Sequence, residues 1–225
     1  MLKRVFISMF AAAGLVAAPY ASAEMQGYIS GGLGFNAVNG DVVFLGLPGG
    51  AGGGVVGPTP PPVNTTSGKS NLTGQIEGGV RFPYSDNIII GIGLYINPLS
   101  LDADSINNIP DAFSMTTKIK DLKGFVGEIG WKLGPSTVAY GKLTLNQARS
   151  ESAATLNAVP SNLTANFSGV GFGAGFRQTL ADNMYLFGEW HHIDGSEVSI
   201  TIFDHGTYRI KPQLTTGLVG AGLTF

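Results

Sequence analysis

Between residues 72 and 82 the chain alternates without losing phase. Leu72, Gly74, Ile76, Gly78, Val80 and Phe82 fall on one face, and Thr73, Gln75, Glu77, Gly79 and Arg81 fall on the other. A period of two marks an extended strand with one apolar and one polar face. The pattern returns at 88–97, where Ile88, Ile90, Ile92, Leu94 and Ile96 oppose Gly91, Gly93, Tyr95 and Asn97. It recurs at 124–133, 139–146, 170–177, 185–191 and 219–225. With a weaker opening strand at 26–36, eight strands are predicted. Wherever a strand carries charge, the charge lies on the face without the aliphatic residues. Val126, Phe187 and Leu218 depart from this and point to the polar side. A narrow barrel tolerates them, because side chains fill its interior.

The connections have a rhythm of their own. Residues 84–87, 134–136 and 179–183 read as short turns, and 36–71, 98–115, 149–163 and 192–206 as long loops. A soluble sandwich has no reason to keep that alternation, whereas a barrel with short periplasmic turns and long outer loops does. The start of the first strand and Phe225 then share the short-turn side, which requires an even strand number. Residues 46–62 hold seven glycines and five prolines. With no apolar set to offset ordering, this segment reads as a mobile extracellular loop.

Composition sharpens the picture. Charged residues are 12% of the chain, against about 25% in ordinary soluble domains, and mean hydropathy is +0.21. A soluble domain would struggle to cover its surface with so few charges. Yet the longest apolar run past the N-terminus, around residues 88–96, is nine residues long. A helical span needs roughly 20. The remaining way into a bilayer is a sheet closed on itself, with every backbone group paired between strands. The chain has no cysteine, which removes disulfides and thiolate metal sites, and its net charge of −2 gives no reason for a nucleic-acid partner.

Residues 1–23 read as an export signal. Lys3 and Arg4 precede an apolar stretch from Val5 to Ala18, Pro19 breaks it, and Ala21, Ser22 and Ala23 offer a cleavage site. The predicted organisation is a signal peptide at 1–23 and one domain at 24–225. That domain is all-β, an eight-stranded antiparallel up-and-down transmembrane β-barrel.

Several segments carry a resemblance. They are the opening run Tyr28 to Phe35, the run Gly171 to Phe176, the run Leu186 to Asp194 with its acidic, aromatic and basic order, and the ending Gly220 to Phe225. Across the whole mature chain these resemble the small OmpA-like and opacity-type outer-membrane barrels. The resemblance implies residence in the outer membrane of a Gram-negative cell. It also implies recognition of the terminal Phe225 by the barrel assembly machinery. Many OmpA-like proteins continue into a peptidoglycan-binding domain. This sequence stops at Phe225, so that activity is not expected.

The inner face should hold Glu77, Glu128 and Glu189 together with Arg81, Lys132, Lys142 and Arg177. Buried charges are costly unless paired, so a lumen charge network is predicted. It serves either as a polar plug or as the lining of a narrow, low-conductance pore, and the plug is the leading reading. His191, His192 and His205 invite a catalytic reading, since some small barrels act on lipid A. A deacylase would show a His-x-Ser on a strand. Here Ile193 follows His191 at plus two, Asp194 follows His192, and Ser196 lies further on. Without a nucleophile beside a base, no catalytic residue is assigned. His192, Asp194, Asp204 and His205 read as a solvated loop rather than a metal site. No cofactor is expected. The expected partners are outer-membrane lipid around the wall and an extracellular ligand or host surface at the loops.

Overall fold

The computed structural model describes residues 25–44, 63–109, 113–156, 159–202 and 206–225. The expected signal peptide and the Gly/Pro-rich segment 46–62 lie outside these residues. Ten strands are present among them: β1 (Gln26–Phe44), β2 (Val63–Pro83), β3 (Ile88–Asn97), β4 (Leu101–Ile109) and β5 (Phe113–Lys132). The rest are β6 (Thr137–Leu156), β7 (Val159–Ala181), β8 (Met184–Gly195), β9 (Val198–Ile202) and β10 (Gly206–Thr224). All pairings are antiparallel. The order runs β1, β2, β3, β5, β6, β7, β8, β10, and β10 pairs back onto β1 from Tyr28↔Thr224 to Phe44↔Tyr208. The sheet is therefore closed, as the alternation required.

Eight strands make the wall, because two of the ten are continuations. β3 and β4 pair in turn with β5, through Asn97↔Leu122 and Leu101↔Ile119. β8 and β9 pair in turn with β10, through Asp194↔Gln213 and Val198↔Ile210. The outward residues form an apolar band. Ile29, Leu33, Phe35, Leu72, Leu94, Leu143, Val170, Phe176 and Val219 are all exposed. Tyr84, Trp131 and Phe225 lie at its short-turn end. Near its other end Phe172 meets Trp190 edge-on at 5.5 Å, and Trp190 stacks on His192. Interfacial aromatics at both rims are characteristic of outer-membrane barrels.

The long loops need correction. Of the four spans expected to be loops, 98–115, 149–163 and 192–206 are mostly strand: β4, the ends of β6 and β7, and β9. Above the bilayer the outward face meets water, so it no longer alternates with an apolar partner and the period is lost.

In this upper region the wall divides. The β2–β3 ladder ends at Ile76↔Ile96, and the β7–β8 ladder ends at Gly169↔Gly195. Beyond those points β4, β5, β6 and β7 form one four-stranded sheet and β9, β10, β1 and β2 form another. Polar contacts bridge the two seams. Asn71 Nδ2 donates to the Asp102 carbonyl at 2.7 Å, and Ser168 and Ser196 exchange hydrogen bonds at 2.6 and 3.2 Å. An apolar core fills the space between the sheets and the top of the closed wall, with Leu101, Ile119, Leu122, Ala148 and Phe167 from one side and Val38, Leu214 and, on β8 just below the seam, Ile193 from the other. The barrel thus carries a small two-sheet head.

Candidate functional site

Below the head, the inward positions of the strands fill the lumen in two polar layers. The lower one holds six of the seven charges expected there. Glu77, Arg81, Glu128, Lys142, Arg177 and Glu189 are each at most 7% exposed. They form two triads of opposite sign. Glu128 sits between two guanidinium groups, with Arg177 Nη2 at 2.9 Å and Arg81 Nε at 3.2 Å. Lys142 sits between two carboxylates, Glu77 at 2.7 Å and Glu189 at 2.5 Å. Three acids meet three bases, and the layer is neutral.

Glu128 and Lys142 are direct ladder partners on β5 and β6. Each is the centre of its own triad. Charge therefore alternates across the lumen, and every charged group faces an opposite one. This is the condition under which buried ions are tolerated.

Tyrosines complete the layer. Tyr28 donates to Glu77 Oε1 at 2.7 Å, and Tyr140 donates to Glu189 Oε2 at 3.0 Å. Arg81 donates to Tyr185 Oη at 3.2 Å, and its guanidinium lies 3.6 Å from the Tyr28 ring centroid. Cation–π contact of this kind suits a planar, weakly hydrated guanidinium. The sequence flagged the charges and missed the tyrosines. Their signal was present, since Tyr28, Tyr95, Tyr140 and Tyr185 all occupy inward parity.

Lys132 does not join the network. It is exposed, as the last residue of β5 beside the 133–136 turn. Parity placed it inward, but at that depth the lumen has already opened to water.

The second layer is uncharged. Asn36 donates to Thr216 at 2.6 Å, and Asn97 donates to Thr73 at 2.6 Å. Tyr95 donates to Asn146 Oδ1 at 2.5 Å, Asn146 to Thr144 at 2.9 Å, and Thr144 contacts His191 Nε2 at 2.9 Å. Asn36 Oδ1 is the one buried side-chain polar atom without a partner among the described residues. His191 is thus a lumen residue. His192 faces outward, with Nδ1 2.8 Å from Thr215 Oγ1, and Asp204 and His205 lie outside the described residues. Among the described residues no group of three or more His, Cys, Asp or Glu side chains could hold a metal ion.

A closed eight-stranded wall, an apolar outer band with aromatic rims and a polar interior define a membrane-spanning barrel. The chain belongs to the outer membrane protein beta-barrel domain family, whose family model matches residues 8–225. No curated protein matches it in sequence. Among solved structures, it is similar to a major outer membrane protein from Thermus thermophilus, with a TM-score of 0.54 and 11% identity over 90% of this chain and 100% of that one. It is similar to the outer membrane protein OprG from Pseudomonas aeruginosa, with a TM-score of 0.54 and 10% identity over 90% of this chain and 97% of that one. Ail, the attachment invasion locus protein of Yersinia pestis, aligns at a TM-score of 0.46 and 10% identity over 88% of this chain and 99% of that one. At such identities the likeness is one of fold. The protein resides in the outer membrane.

Proposed function

We propose that this protein is a closed-lumen barrel whose task is performed outside the cell, as a surface-interaction protein. The observation that carries the reading is the continuous filling of its interior. A neutral charge layer, a layer of hydrogen-bonded amides and hydroxyls, and an apolar head core follow one another along the axis. Eight-stranded interiors are narrow enough to be filled in this way. The wall then serves as a rigid stalk that holds the two-sheet head and its connections beyond the membrane, where binding residues concentrate in such folds.

The test is conductance of the refolded protein in a planar bilayer. Silence at the single-channel level is the expected result. Regular open steps would overturn the closed lumen and favour a narrow pore. That second reading has one observation in its favour, the polar continuity of the lower two layers, which includes the unpartnered Asn36 Oδ1. For the surface role, cells bearing the protein should adhere to a matrix-coated surface better than cells bearing a chain lacking residues 46–62. Equal adhesion would remove that segment from the role. No catalytic task is proposed, because His191 bonds a threonine of the lumen and Ser196 is engaged with the Ser168 backbone.

A further inference from the structure

The outer wall carries a polar hollow at the membrane boundary. Descending towards the membrane along β5, β6 and β7, the outward residue changes from Lys123 to Phe125, from Gln147 to Leu145 and from Ser168 to Val170. A cavity of about 690 Å³ lies on that line and crosses β3, β5, β6 and β7. Its outward lining includes Asp121, Lys123, Gln147, Arg149, Asn166 and Ser168. Ile96 lies beside Lys123 in the ladder and is exposed.

The hollow has a local cause. One extra residue interrupts the β5–β6 ladder between Lys120 and Lys123, and Asp121 takes a positive φ of 54°. Such a bulge bends its strand and redirects neighbouring side chains. Here it turns Lys120, Asp121 and Lys123 to the outside while Ile119 and Leu122 stay in the head core.

We infer that this hollow binds the phosphate-bearing head of an outer-leaflet glycolipid. Lys123 has no ion-pair partner among the described residues, although it sits at the lipid boundary. Among the described residues Arg149 makes one salt bridge, to Asp121 at 3.7 Å, in a pair half exposed to solvent. A pair of that kind contributes little and is readily exchanged. Two cations therefore face a single carboxylate, with amides and a hydroxyl beside them to donate to sugar and phosphate oxygens. Below them Phe125, Leu145 and Val170 continue as an apolar track suited to acyl chains. A free anion would use only the upper half of this arrangement. A lipid uses both halves, and the surrounding leaflet supplies it at high local concentration.

The test uses the full protein isolated in detergent, with diphosphoryl lipid A as the probe and retention read by native mass spectrometry. The protein should retain this lipid and not the same lipid stripped of its phosphates. Lys123→Gln with Arg149→Gln should weaken retention by roughly 25-fold, about fivefold for each cation near an anionic lipid surface. Asp121→Asn should strengthen retention, since asparagine tolerates the left-handed backbone and removes the opposing charge. Lys211→Gln, an exposed cation on β10 paired with Asp194, should change nothing. Three results would each overturn the site: equal retention of both lipids, wild-type retention by the double variant, or displacement of the lipid by millimolar inorganic phosphate.

Discussion

Arg81 reaches Glu128 across a strand that lies between them. Its Nε and Nη2 donate to the two carboxylate oxygens at 3.2 and 3.3 Å, although Arg81 is on β2 and Glu128 on β5. The residue between is Gly91, ladder partner of both. The same device joins Tyr140 to Glu189 over Gly175, and Tyr95 to Asn146 over Gly124. Inward glycines in this chain are spaces under large polar side chains.

A side chain at Gly91 should therefore act as a wedge. A Cβ there would lie 3.3 Å from both Arg81 Cγ and Glu128 Cβ. Gly91→Val should cost roughly 1–3 kcal/mol through overpacking and a strained ion pair. Gly127 faces outward with nothing closer than 4.0 Å, so Gly127→Val should be neutral or mildly stabilising. Urea unfolding in lipid vesicles compares the two, and equal losses would argue against the wedge.

The two triads predict a symmetry of effect. Glu128→Ala leaves Arg81 and Arg177 facing each other without a counter-charge. Lys142→Ala does the same to Glu77 and Glu189. Each should cost about 3–5 kcal/mol, the usual consequence of stranding a buried charge. Lys132→Ala should stay within about 0.5 kcal/mol, as surface changes do. Vesicle unfolding in which Lys132→Ala matched the other two would restore it to the network.

What the sequence disclosed was parity. Period two assigned Ile92 to lipid and Glu128 to the lumen, and it placed Val126, Phe187 and Leu218 inside, where they are found. Depth was not legible. Lys132 shares parity with Glu128 but lies at the end of the wall. The pairs themselves were not legible either, since an Arg81–Glu128 contact over Gly91 depends on the stagger of three strands. The upper strands escaped notice because their outward face meets water. The stretch from Arg149 to Thr155 has no apolar face to reveal a strand, yet β6 continues through it.

The lipid face has its own test. Ile92 lies in the outer band, between Val80 and Gly127 in the ladder. Ile92→Arg should destabilise the barrel by roughly 2–4 kcal/mol if the residue sits near the bilayer midplane. A loss well below 1 kcal/mol in a reversible bilayer-folding assay would move the band.

Topology can be read with single cysteines, because the native chain has none. On intact cells a membrane-impermeant maleimide should label Asn162→Cys, which is exposed on the head end of β7. Asp86→Cys and Asp182→Cys, in the opposite turns, should react only after the outer membrane is opened. Labelling in the reverse order would invert the barrel.

The head should behave as a packing unit distinct from the wall beneath it. Leu214 is fully buried among Val38 and Ile193 on its own side and the residues of the facing sheet. Leu214→Ala removes three carbons from that core and should cost about 2–5 kcal/mol locally. The β2–β3 ladder ends below this level and the β7–β8 ladder only two residues above it, at Gly169↔Gly195, so the loss should be felt at the top of the wall and fade beneath it. Amide exchange should therefore quicken in β4, β9 and the upper parts of β5 and β10, and stay slow around Glu77, Glu128 and Lys142. Conductance should remain silent in the same variant, because the two polar layers still fill the lumen. Exchange that quickened equally along whole strands would mean that head and wall unfold as one. Channel openings in Leu214→Ala alone would mean that the apolar core, and not the charge layer, keeps the lumen shut.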